Sequence, residues 1–170
     1  MSGEQSAVDV FLLAENRLLR DVFARLLARK SDIHVAGVAA ITAQIVLEVV
    51  AAEPDVVLCD SLAAALSSGD GLLLDLRRNL PNVKILMFGM DCDPEKFLIA
   101  VHHGVTGYVL KDASAAEVAS AIRAVAQGES VCPPSLCRVL FDHVASSGAW
   151  LQPVHVYSRT AFACLSSRHT

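Results

Sequence analysis

The chain has 170 residues, enough for one domain with a short extension. Apolar residues make up 54% and charged residues 19%, which supplies a real core and excludes disorder as the overall state. The net charge of −4 excludes a broad basic surface for nucleic acid over the chain as a whole.

Short β-rich runs alternate with longer amphipathic runs. The first strand is expected at 8–13, and a helix follows over 16–30. Leu19, Val22, Phe23, Leu26 and Leu27 line one side of that helix; Arg17, Arg20, Arg25 and Arg29 supply much of the other. The apolar stretch 35–52 breaks into the end of a strand at 33–38 and a helix at 42–53, which Pro54 stops. It is not read as a membrane span. A third strand is expected at 55–59, and a helix at 71–80 that Pro81 ends. The fourth strand is placed at 83–88. A fourth helix at 93–103 has Asp93 as its cap, Pro94 in its first turn and Gly104 at its end. The fifth strand covers 107–110. The fifth helix, 114–127, opens on Ser114 and Glu117, the spacing of a capping box. A sixth helix is expected at 133–145, with Leu136, Val139, Leu140 and Val144 on its apolar side.

Near-continuous apolar strands between helices predict an α/β fold with a doubly wound, five-stranded parallel sheet, helices on both faces and an extra C-terminal helix. In such folds chemistry sits beyond the carboxyl ends of the strands. Ala14, Glu15 and Asn16 follow the first strand, Asp60 the third, Gly89 and Met90 the fourth, and Lys111 and Asp112 the fifth. Glu15, Asp60 and Lys111 are therefore expected to converge on one sheet edge. Two carboxylates suit Mg²⁺, and a carboxylate can also serve as a phosphoryl acceptor, with an ammonium to neutralise charge. A salt bridge at a polar sheet edge explains the same three residues equally well.

Several segments carry a resemblance to a known family. The segment PDVVLCD (54–60) resembles a third strand ending in a phosphoacceptor aspartate. HGVTGYVLKDAS (103–114) resembles a fifth strand with its lysine, and NRLLRDVFARLL (16–27) a first helix. GES, followed by PPS, within 128–135 resembles what comes after the fifth helix. Together they are similar to the receiver domain of bacterial two-component response regulators, of the NarL/FixJ type. The resemblance implies a flavodoxin-like fold with strand order 2-1-3-4-5. It implies Asp60 as phosphoacceptor, Lys111 as the phosphate-contacting lysine, Glu15 with Asp60 as metal ligands, and Gly89 and Tyr108 at the switch positions. It sets a receiver at 8–128, an N-terminal extension at 1–7, a linker and sixth helix at 129–147, and a tail at 148–170.

Three departures bear on function. Ala14 stands where the metal pocket has its first acid. Gly89 stands where a Thr or Ser hydroxyl draws the aromatic switch inward. The loop 61–68 lacks the usual Met-Pro. The expectation is an atypical receiver with Mg²⁺ binding weak or lost and an impaired switch. It would act through protein contacts to regulate transcription in a full-length context. A conventional Mg²⁺-dependent phosphoacceptor at Asp60 that controls dimerisation is the alternative. Tyr108 is read as a packing aromatic. No enzyme activity is expected beyond self-phosphorylation at Asp60, and no catalytic residue is assigned. A histidine kinase or a small phosphodonor would supply the phosphoryl group.

Other features read as structural. His102 and His103 suit the end of a helix. Cys132, Cys137 and His143 fit no strong metal spacing. Five cysteines and no export signal suggest a reduced, cytoplasmic setting. The fourth helix, fifth strand and fifth helix, bearing Glu95, Lys96, Lys111, Asp112, Glu117 and Arg123, are the expected homodimer face. Only 25 residues follow Ala145, so no helix-turn-helix and no direct DNA binding are expected. The tail is read as truncated, frame-shifted or a docking peptide. A flavodoxin-like nucleotide- or flavin-binding enzyme is the remote rival; 14–17 holds no glycine-rich turn for a phosphate.

Overall fold

Near-continuous apolar runs, buried on both faces, build the sheet. In a computed structural model, which describes residues 6–67 and 71–147, five strands form. They are β1 (Val8–Leu13), β2 (Ile33–Ala39), β3 (Val56–Cys59), β4 (Lys84–Met90) and β5 (Gly107–Leu110). All pairs are parallel and the order is β2-β1-β3-β4-β5, as the resemblance implies.

Seven helices form among the described residues: α1 (Arg17–Ala28), α2 (Ile45–Ala52), α3 (Leu62–Ser67), α4 (Leu72–Asn79), α5 (Pro94–His102), α6 (Ala115–Ala126) and α7 (Pro134–Ser146). The short α3 was not expected. The sequence there carries only loop character, yet the Ser61 hydroxyl accepts the Ala64 amide at 3.2 Å and starts the turn. The second helix begins at Ile45 rather than residue 42, and β4 runs to Met90 rather than residue 88. The second difference matters at the site.

On one face of the sheet Val10, Leu12, Val56, Leu58, Leu86 and Phe88 pack with Leu27 of α1 and with Val118, Ile122 and Val125 of α6. The intervening Phe11, Leu13, Val57, Ile85 and Met87 point the other way and are equally buried. The expected caps are present. The Asp93 carboxylate accepts the Glu95 and Lys96 amides at 2.9 and 3.2 Å. Ser114 and Glu117 cap α6 reciprocally. Asn16 also caps α1, accepting the Leu18 and Leu19 amides. The chain returns along the β5 edge at Val131, whose carbonyl accepts the Tyr108 amide at 2.9 Å.

Two compact units divide at residue 136. The first holds the sheet and α1–α6. The second holds most of α7, where Arg138 and Asp142 pair at 3.8 Å. The tail 148–170 lies outside the described residues. No helix among the described residues is long and apolar enough to cross a membrane.

Candidate functional site

The carboxyl ends of β1 and β3 bring Glu15 and Asp60 together. The Asp60 amide donates to the Leu13 carbonyl at 3.1 Å, continuing the β1–β3 ladder one step past Cys59. That places the Asp60 carboxylate under the β1–α1 turn. The Glu15 amide donates to both of its oxygens at 3.2 Å. Burial pushes the Asp60 carboxyl above the usual aspartate range, and the Glu15 charge adds to this; the Glu15 amide and the Arg20 cation oppose it.

Arg20 was read as part of the polar side of α1. Its guanidinium instead reaches back over the turn and donates to the Ala14 and Glu15 carbonyls, the latter at 3.0 Å. A cation one turn into a helix whose N-terminus borders two acids was the available signal. Ala14 itself is fully buried.

Hard oxygen donors are the right class for Mg²⁺, which accepts one or two protein carboxylates and keeps waters. Glu15 and Asp60 supply two carboxylates of that class, beside the buried Ala14. Among the described residues no group of three or more His, Cys, Asp or Glu side chains gathers as a metal site. His103 uses its ring Nδ1 on the Ile99 carbonyl at 2.8 Å, a helix-end contact.

Lys111 follows β5 at the same carboxyl edge of the sheet, and there its side chain takes an acid of the β4–α5 loop as partner. Its Nζ lies 2.8 Å from Asp91 Oδ1, and the pair is open to solvent, with 72% and 58% of the side chains exposed. Asp91 and Asp112 hold the Lys111 ammonium above its ordinary range, and Lys111 holds Asp91 below the carboxylate range.

The cause of this pairing is a bulge in β4. Met87 pairs with Tyr108 and Met90 with Leu110, so β4 spends three steps where β5 spends two. Gly89 sits in the bulge with φ +68°. The extra residue brings Asp91, not Met90, abreast of Lys111. The Lys111 amide then donates to the Met90 carbonyl at 2.9 Å. The sequence gives no local sign of the bulge, and a strand ending at residue 88 stops short of Asp91.

Tyr108 is 1% exposed and packs edge-on against Phe97, with ring centroids 5.2 Å apart and planes at 80°. Its hydroxyl donates to the Asp91 backbone carbonyl at 3.3 Å. Burial raises its pKa to about 12, so it stays a neutral donor at neutral pH. A Cβ built on Gly89 would meet nothing within 4 Å. The position has room for a side chain and offers no hydroxyl.

Comparison with known proteins identifies the family. Residues 10–123 match the response regulator receiver domain family. The response regulator protein VraR of Staphylococcus aureus is 28% identical over 129 residues, covering 76% of this chain and 61% of VraR. The chain thus spans about three fifths of the length of the curated relatives it matches. The receiver domain of a NarL response regulator from Mycobacterium tuberculosis superposes with a TM-score of 0.63 at 26% identity, covering 73% of this chain and 99% of that one. A LuxR-family response regulator from an Aurantimonas species gives 0.71 at 24% identity, covering 82% and 99%, which shows a shared fold. The chain belongs to the response regulator receiver domain family of two-component signalling.

Proposed function

We propose that this receiver is atypical: Asp60 remains a phosphoryl acceptor in a weakened pocket, and the usual hydroxyl link to the aromatic switch is missing. The observation that carries this reading is the pairing of Asp60 with the Glu15 amide beside Ala14, while Gly89 leaves the switch position empty. Glu15 and Asp60 would hold Mg²⁺ with water completing its shell, and the ion would neutralise charge on an incoming phosphoryl group.

The chain's own part is limited. An Asp60 carboxylate oxygen forms the new bond to phosphorus as the bond from phosphorus to the donor breaks. The Glu15 amide orients that carboxylate. A histidine kinase or a small phosphodonor would supply the group, so activity amounts at most to the receiver's own phosphorylation. Output would pass through protein contacts. α5, β5 and α6 form the proposed homodimer face, with Glu95, Lys96, Lys111, Asp112, Glu117 and Arg123 offering both signs of charge. The receiver would span 8–128 and work in the cytoplasm, regulating transcription within a longer protein, with no direct DNA contact by this chain. A conventional Mg²⁺-dependent phosphoacceptor is the second reading; the adjacency of Glu15 and Asp60 favours it.

Amide NMR spectra with and without Mg²⁺ plus beryllofluoride, an aspartyl-phosphate mimic, test the proposal. Asp60→Ala is the control. Shifts near Asp60 that the control abolishes support a working acceptor. Their absence would leave a receiver fold that serves protein contacts alone.

A further inference from the structure

Asp91 makes two contacts that no other residue of the site combines. Its carboxylate holds Lys111 at 2.8 Å, and its backbone carbonyl accepts the Tyr108 hydroxyl at 3.3 Å. The charges that act on Asp60 are Glu15 and Arg20; those that act on Lys111 are Asp91 and Asp112. The phosphate-contacting lysine is thus parked on the β4–α5 loop. We propose that Asp91 is a positioning residue: it competes with the Asp60 anion for Lys111 and carries the outcome to Tyr108, in place of the hydroxyl that Gly89 lacks. The proposal rests on Asp60 being the anion site.

The physical argument is one of competition. The Lys111–Asp91 pair is solvent-exposed and therefore weak, so a phosphoryl group with more negative charge at Asp60 draws the lysine away. Asp91 then loses its side-chain partner, and its carbonyl remains shared between the Asp93 amide at 2.8 Å and the Tyr108 hydroxyl. The same residue's carbonyl holds the buried Tyr108 ring in place against Phe97. Movement of residue 91 changes the hydrogen bond of Tyr108 directly, through one residue's backbone. The bulge at Gly89 is what sets this geometry, because it places Asp91 abreast of Lys111.

The test uses the isotope-labelled full chain, titrated with beryllofluoride in the presence of Mg²⁺. Three reporters are followed: the Glu15 amide for the anion site, the Lys111 side chain, and the Tyr108 ring. In the wild type all three are expected to shift along one titration curve. Asp91→Asn removes the competing charge, so the Glu15 amide should respond at about two- to fivefold lower beryllofluoride concentration. The Tyr108 response should be largely lost in that variant, and Asp91→Glu should restore it. Residue 91 is exposed, so neither variant endangers the fold. An undiminished Tyr108 response in Asp91→Asn overturns the relay. So does a Glu15 response in wild type without any change at Lys111 or Tyr108, which leaves the Asp60 site standing. A silent Glu15 amide overturns the reading of Asp60 as anion site, and the relay with it.

Discussion

Replacing Gly89 by serine restores a hydroxyl at the switch position and tests the bulge at the same time. A side chain there has open space, with nothing within 4 Å of a built Cβ, so no steric clash is expected. The cost comes from the backbone. At φ +68° an L-residue loses about 1–2 kcal/mol relative to its preferred region, a penalty glycine escapes. For a chain of this size each kcal/mol moves the melting temperature by about 2–4 °C, so a drop of about 2–8 °C follows. Gly128→Ser is the matched control: φ is +90°, again nothing lies within 4 Å, and the residue follows α6 well away from Asp60. Differential scanning calorimetry should give similar losses for the two variants. Only Gly89→Ser should alter the beryllofluoride response of Tyr108, because residue 89 lies in the β4 bulge that leads to Asp91, whereas Gly128 follows α6. In the double variant Gly89→Ser/Asp91→Asn that response should return without Asp91. A Gly89→Ser protein as stable as wild type would show that the positive φ is not enforced, and the reasoning from the bulge would fall.

Three further outcomes follow from the contacts around the site and the core. Burial raises the Asp60 carboxyl, so its contribution to stability is present below the ordinary aspartate value and is lost as pH rises through the folded-state value. Asp60→Asn should therefore be more stable than wild type at pH 7 in urea titrations, with the gap closing toward about pH 4; an equal gap at both would refute the burial argument. The Arg123 guanidinium forks onto the Asp32 carboxylate and depresses its pKa, which gives the opposite sign. Arg123→Ala should be less stable than wild type at neutral pH, and the difference should shrink as pH falls through the depressed Asp32 value; a gap that widens in acid would count against this pairing. Phe97 is 2% exposed and carries the edge contact to Tyr108. Phe97→Ala should cost about 3–5 kcal/mol in urea unfolding and broaden the Tyr108 ring signals, and a loss under about 1 kcal/mol would mean the core collapses around the gap.

The sheet was legible because its signal is local and redundant. Five apolar runs separated by helical patterns admit few topologies, and right-handed crossovers prune the rest. The caps at Asp93 and Ser114 were legible for a similar reason, since an acceptor side chain and its amide partners lie within three residues. The misses were also local. Alanine-rich 62–67 has no amphipathic stripe long enough to register as a helix, and Ser61 was the one cue. Thr42 looked like a start, yet the first turn of α2 forms at Ile45 after a loop turn in which the Thr42 carbonyl accepts the Ile45 amide.

The site was half legible, and the division has a physical cause. Glu15 and Asp60 follow directly from strand ends, and neighbouring parallel strands in register bring such residues together whatever their side chains do. Lys111 has a long, flexible side chain whose partner is decided by which acid lies abreast of it. That depends on the β4–β5 register, which a single extra residue shifts. With no bulge after Met87, Met90 would stand opposite Lys111 and offer its ammonium no carboxylate. With the bulge, Asp91 takes that place and supplies both a carboxylate for Lys111 and a carbonyl for Tyr108. In the sequence Gly89 shows only as an absent hydroxyl; in the fold its left-handed φ sits in the bulge that brings Asp91 abreast of Lys111.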